Sequence, residues 1–310
     1  MTNFKKIGMT ALAGSLAAIG YAQAGALDVT GTARMEYQST NSAAGVGTDS
    51  FAQNTSISFS GSGELDNGMN VSYFSLQSAG GNNSSSQGVT LDMGDMGKVS
   101  MTNYNVAGIG TIQDMVPNGG EQPWDDLGTH GTPQQGVASP HAGDRLGYSV
   151  SAGGAIVSAA MNYEQTSPTT SVAIQLPGLV EGLNVGAGMA TDMSAQDTED
   201  DITTMYAKYT MGGISVGYQV TDVEPDAANT DIERTAYGVS FAVNDNLSVG
   251  YGVSDTDFDA SATDEENTGI GIAYTSGGMK LGIINNTKDN AGGTAGGQDE
   301  MTELQLTFAF

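Results

Sequence analysis

The chain has 310 residues, with 35 Asp and Glu against nine Lys and Arg, and a formal net charge of −26 at pH 7. That balance excludes a nucleic-acid partner, which would need clustered cations for phosphate, and makes cations the natural companions. Cysteine is absent, which excludes a small disulfide-stapled secreted domain.

In chain order, the first element is a leader. Lys5 and Lys6 precede an apolar run from Ile7 to Tyr21, and Ala22-Gln23-Ala24 supplies a small-x-small cleavage pattern. The run is too short to cross a bilayer as a helix, so residues 1–24 read as a secretory signal peptide. Cleavage is expected after Ala24, with Ala26 the alternative, leaving residues 25–310 as one domain.

The segment that follows, LDVTGTARMEYQ, alternates for about eleven residues, near the length of a tilted membrane strand. Leu27, Val29, Gly31, Ala33, Met35 and Tyr37 share one face, and Arg34 and Glu36 lie on the other. The same period recurs near 52–63, 69–78, 88–93, 98–105, 144–152, 155–165, 169–176, 182–191, 201–211, 214–222, 232–243, 247–255, 267–275, 279–287 and 301–310. That gives about sixteen strands. Beyond residue 24 there is no apolar run long enough for a membrane helix, and the 45 glycines, above the usual share of about 7%, disfavour helix throughout. The fold class is all-β.

Alternate connections are tight: Leu65-Asp66-Asn67-Gly68, Asp95-Met96-Gly97, Gly153-Gly154, Met211-Gly212-Gly213, Asn244-Asp245-Asn246 and Ser276-Gly277-Gly278. Such residues reach the positive φ angles of hairpin turns. The others are longer and acidic or Ser/Gly-rich, as at 80–87 and 289–300. Short turns at one end and long loops at the other are the layout of a transmembrane β-barrel. One connection stands apart. Between Asn105 and Asp144 alternation is lost, and Pro117, Pro123, Trp124, His130, Pro133, Pro140 and His141 all fall there, as expected for an ordered functional loop.

The segment 255–266 places Asp255, Asp257, Asp259 and Glu266 at positions 1, 3, 5 and 12 of a calcium loop. Position 6, however, is Ala260 where that loop needs Gly. A solvated acidic loop with at most loose divalent-cation binding is expected, and likewise around Asp197, Glu199, Asp200 and Asp201, and around Asp222, Glu224 and Asp226. No cofactor is called for. Neither histidine sits in a distinctive nucleophile or metal pattern, so no enzyme activity is expected.

Four segments together resemble the general-diffusion porins of bacterial outer membranes, especially the alphaproteobacterial type. They are LDVTGTARMEY at the start, SISFSGSGELDNGMNVSYF as the second hairpin, GVTLDMGDMGKVSM before the long loop, and LQLTFAF at the end. The resemblance spans residues 25–310. It implies an antiparallel barrel of about sixteen strands in the outer membrane, whose long third loop folds into the pore. Partners would be outer-membrane lipid and lipopolysaccharide, the barrel assembly machinery that reads the terminal Phe310, two further copies in a homotrimer, and small hydrophilic solutes. It further implies a constriction in which loop acids Asp114, Glu121, Asp125 and Asp126 face wall cations Arg34, Arg145, Lys208 and Arg234. By alternation those four cations fall on polar faces, Arg145 opposite in phase to Leu146 and Tyr148, and Arg234 to Tyr237 and Val239. The basic set is thin for the family. With so much acid, cation preference is expected of the channel.

Two other readings compete. A secreted Gly/Asp-rich β-solenoid surface protein would need a fixed short repeat, and none is present. An outer-membrane barrel enzyme would need a distinct acid–base group at the rim.

Overall fold

The structure, a computed structural model, describes residues 27–42, 47–78, 84–122, 127, 144–162, 169–193, 199–225 and 230–310. The leader, together with Asp125, Asp126, Trp124 and both histidines, lies outside them. Sixteen antiparallel strands close into one barrel, each paired with its sequence neighbours. They are β1 (Asp28–Asn41), β2 (Gly47–Glu64), β3 (Asn70–Ser78), β4 (Ser84–Asp92), β5 (Lys98–Thr102), β6 (Arg145–Ala152), β7 (Ala155–Asn162) and β8 (Thr169–Pro177). The second half comprises β9 (Leu183–Met193), β10 (Glu199–Met211), β11 (Ile214–Pro225), β12 (Ile232–Ala242), β13 (Leu247–Phe258), β14 (Glu265–Ser276), β15 (Met279–Asp289) and β16 (Gln298–Ala309).

Closure comes from β1 pairing with β16, in register from Thr32 opposite Ala309 to Asn41 opposite Glu300. The last residue takes part: Phe310 N–H donates to the Gly31 carbonyl (2.9 Å), and Gly31 N–H donates to the Phe310 carbonyl (3.1 Å). A closed sheet has no edge to satisfy in lipid. Deleting Phe310 removes both bonds and the exposed ring at the seam. The fraction of heat-modifiable, membrane-inserted protein is expected to fall several-fold, read by gel mobility with and without boiling. Unchanged insertion would refute a role for the seam residue.

Facing follows the period of two. Tyr37, Leu304, Ile283, Ile272, Val249, Phe241 and Ile214 form one continuous cross-strand row on the outside of β1 and β16 through β11. Residues on either side of each one in sequence point into the barrel. Tight turns join the strands at one end. The Gly153-Gly154 pair there has φ of 61° and 85°, a conformation L side chains adopt only with strain.

Charge is sorted by face. All seven Lys and Arg beyond the leader, namely Arg34, Lys98, Arg145, Lys208, Arg234, Lys280 and Lys288, sit at inward positions of strands. Outward charges in the described strands are acidic and lie toward the long-loop end. There Asp201 pairs with Glu224, Asp222 with Glu233, Glu233 with Asp257, Asp255 with Glu266, and Glu266 with Asp289. These like charges face each other directly, an arrangement tolerable only at a well-solvated rim. The pairing also corrects the reading of 255–266 as a loop. Strand β13 runs through Phe258 and β14 begins at Glu265, so only 259–264 connects them, and Asp255 and Asp257 cannot wrap around one ion.

Candidate functional site

The connection between β5 and β6 does not leave the barrel. Residues 104–122 enter it and run as a strap along the inner wall from β6 round to β1. A short 3-10 helix, Gly108–Ile112, starts the run. Its Ile109 and Ile112 are fully buried against Ala173, Ala190, Ile202 and Tyr206 of β8–β10. Val116 then packs on Ala236 of β12, and Leu127 on Ile284 and Met301 of β15 and β16.

Small residues on the wall let the strap lie close. A Cβ on Gly147 would fall 2.6 Å from the Ala107 Cβ. One on Gly238 would fall 2.8 Å from Val116 Cγ1. Gly119 lies backbone on backbone against Gly250 and Gly271, where added Cβ atoms would stand 2.6 Å from the Gly119 Cα and 2.7 Å from its carbonyl oxygen. Part of the chain's glycine excess is thus the track on which the strap rests, a use that composition alone does not separate from turns.

Polar side chains of the wall satisfy the strap's backbone. Gln219, 2% exposed, accepts from Met115 N–H (3.0 Å) and donates to the carbonyls of Ile112 (2.9 Å) and Gln113 (3.2 Å). Ser171 Oγ accepts from Ile109 N–H (3.2 Å), and Asn286 donates to the Gln122 carbonyl (3.0 Å). Buried backbone groups need such partners. At the far end Glu121 accepts a short hydrogen bond from Gln305 and lies 4.0 Å from Arg34, which also pairs with Glu36 at 2.8 Å.

The residues expected at a constriction therefore part company. Arg34 and Glu121 meet across the lumen end of the strap. Arg145, 4% exposed, is held at the strap's root, bonding the Asn105 side chain closely and the Asn103 carbonyl at 3.5 Å. Arg234, 5% exposed, donates to Thr256 Oγ1 (3.1 Å) on the upper wall. Lys208 faces inward near the tight-turn end, with no carboxylate of the described residues in ion-pair range. Asp114 projects from the strap into the channel. The barrel wall around it raises its carboxyl pKa by desolvation, partly offset by a hydrogen bond with Gln122.

Several site residues escaped sequence reasoning. Lys288 and Glu265 form a fully buried pair (3.8 Å), with Glu265 also accepting from Asn267 (2.9 Å) and Gly292 N–H (2.8 Å). Inward parity marks both. Gln219 and Asn286 carry no sequence signal beyond parity, because their partner is a loop distant in sequence.

With the strap on β6 through β1, the open wall is β2–β5. Its inward residues are mostly hydroxylic: Ser56, Ser58, Ser60, Ser62, Ser72 and Thr90, exposed or half-exposed. Among the described residues, none of the strap beyond its first residue, Tyr104, covers this wall.

Known proteins share this plan. Residues 8–283 match the family model described as Gram-negative porin. Among solved structures, the loop L8 deletion form of OmpT, an outer membrane protein of Vibrio cholerae, superposes with a TM-score of 0.69 at 14% identity, covering 93% of this chain and all of that one. A porin refined at 1.8 Å resolution gives 0.67 at 20% identity, covering 92% of this chain and all of its own. A mutant of Rh. blastica porin gives 0.65 at 13%, with the same coverage. No curated protein sequence matches the chain.

Proposed function

The chain belongs to the Gram-negative porin family, an outer-membrane barrel, and from that premise we propose a non-enzymatic, water-filled channel for passive diffusion of ions and small hydrophilic solutes, with a preference for cations. The observation that carries this reading is the strap: among the described residues it lines the inner wall from β6 round to β1 and leaves inward Ser and Thr side chains of β2–β4 exposed or half-exposed. Three copies are proposed to assemble, in line with the trimer form of V. cholerae OmpT, a fold relative at 14% identity and TM-score 0.68. Phe310 is proposed as the insertion signal.

Cation preference rests on local charge rather than on the chain total. Beyond the leader the formal balance is seven basic against 35 acidic residues, but the outward acidic rim is not in the conduit. Where the strap meets β1, the single guanidinium of Arg34 pairs with two carboxylates, Glu36 and Glu121, beside the buried carboxyl group of Glu303, which hydrogen-bonds Glu121. Asp114 adds a further acid without a cation beside it. Low-dielectric walls focus that field. A zero-current potential in a salt gradient is expected to show cation selectivity. It should fade as salt shortens the Debye length from about 10 Å at 0.1 M to about 3 Å at 1 M. An anion-selective potential would overturn the reading.

The selectivity is also expected to titrate. Asp114 has its pKa raised, so on acidification it takes a proton before an ordinary carboxylate of about 3.9 does. The protonated form is neutral, so cation preference declines as pH falls toward that range and returns above it. Asp114→Asn is expected to flatten the early part of this profile. A pH profile identical to the native one would remove Asp114 from the conduit.

A further inference from the structure

We infer that the bare wall of the channel carries a subsite for a neutral, ring-shaped polyol, a pyranose sugar being the simplest case. This deepens the channel reading and rests on it.

A cleft of about 280 Å³ opens on the wall, lined by Ser60, Ser62, Ser72, Phe74, Thr90 and Tyr104, with Asp28 and Gly88 at its margins. Cross-strand register explains the grouping. Ser60, Phe74, Gly88 and Thr102 form one inward row over β2–β5, and Ser62, Ser72, Thr90 and Ser100 form the next. Gly88 lets the Thr102 side chain close over the backbone beside Phe74: a Cβ there would stand 2.9 Å from the Thr102 Cβ. Tyr104 packs edge-on to Phe74, the ring centroids 5.6 Å apart at 62°.

The platform is fixed in place. Asn103 N–H donates to the Gln87 carbonyl (3.1 Å), and Asn103 Oδ1 accepts from Gln87 N–H (2.6 Å). Thr102 Oγ1 donates to the Tyr104 carbonyl (2.8 Å). The segment 102–104 is therefore held by three bonds at the very start of the strap, one of them to the Tyr104 carbonyl, while both aromatic rings stay half-exposed to the lumen.

The chemistry of the lining selects the ligand class. Hydroxyls both donate and accept, so they suit a solute whose surface is itself hydroxyl. Aromatic rings offer an apolar face for the C–H side of a sugar ring. The charges on the inward faces of β2–β5 flank the cleft without lining it: they stand in the next inward row toward the tight turns, where Glu64 follows Ser62 and Asp92 pairs with Lys98 at 3.0 Å. Asp28 supplies one carboxylate acceptor at the margin.

The test uses the full-length protein in planar bilayers, with D-glucose as the probe and a polyethylene glycol of matching hydrodynamic size as the comparison. Glucose is expected to reduce ion current saturably, whereas the glycol reduces it only in proportion to its concentration. Half-blocking concentrations, each normalised to that variant's own open current, are expected to rise at least fivefold in Phe74→Ala and at least twofold in Ser72→Ala. Should Phe74→Ala fail to insert, Tyr104→Ala, whose ring is half-exposed, replaces it. Glucose acting no differently from the glycol, or half-blocking concentrations unchanged in the variants, would overturn the subsite and leave the channel standing. No conductance from the native protein would overturn the channel and the subsite together.

Discussion

Gly271→Val is expected to widen the channel without unfolding the barrel. Its new Cβ would stand 2.7 Å from the Gly119 carbonyl oxygen, with the strap's backbone rather than a flexible side chain in the way. The wall at Gly271 is paired on both sides, to Gly250 of β13 and Ile284 of β15, so the strap is the part that yields. Lifting Gly119 carries Glu121 and Gln122 away from Gln305, Arg34 and Asn286. The first half of the strap stays anchored, because Ile109 and Ile112 remain buried on β8–β10. Overpacking of this kind costs about 1–3 kcal/mol, and it should appear as strap release. Single-channel conductance and current noise are expected to rise, and the size limit for sugars in liposome swelling to increase. Gly282→Ala is the control. Its Cβ would meet the side chains of Gln305 at 3.7 Å and Ile284 at 3.9 Å, both ordinary contacts, and native conductance is expected. Native conductance in Gly271→Val would mean that the strap does not set the opening.

How much of this the sequence disclosed depends on the range of the interaction. Strand number, order and facing are local, since a period of two is written in each segment. Arg34, Lys208 and Arg234 therefore fall on the inward side as alternation places them. The depth of each residue along its strand is not local. Arg145 and Arg234 share the inward face with Arg34 but end up against the strap root and the upper wall, because burial there depends on a loop that doubles back across the sheet. Gln305 illustrates the same limit. Alternation puts it inward, and a water-filled interior would make Gln305→Arg harmless. In the fold it is 8% exposed and holds Glu121, so the substitution meets a packed contact instead. The acidic rim was visible only as scattered loops. Cross-strand register, which no single segment encodes, turns it into a row of facing carboxylates.

The outward face supplies the other large effect, Leu304→Arg. Leu304 is 44% exposed on the outside of β16, between Tyr37 of β1 and Ile283 of β15. Along its own strand it lies two outward positions from Phe308 on the tight-turn side and two from Glu300 at the acidic rim. It sits in the last apolar row before the rim, because the next outward row is Ser39, Thr302 and Asn285. A charge costs about 2–4 kcal/mol at the midplane and about 0–1 near the interfaces, and this row lies between the two. The guanidinium's outward neighbours Tyr37, Ile283 and Leu306 are apolar, and the first polar outward row, at Thr302, begins about 7 Å toward the rim at roughly 3.4 Å per residue. Ser58→Arg makes the matching change on the inward, half-exposed face of β2 and is expected to shift stability by less than about 0.5 kcal/mol, as for an ordinary surface site. Folding into lipid vesicles over a urea series, read by heat-modifiable gel mobility, separates the two. A large loss in Leu304→Arg with little in Ser58→Arg fixes which side meets lipid. Equal losses would mean that the side taken as lipid-facing is not, and the selectivity, strap and sugar arguments, which all depend on that facing, would fall with it.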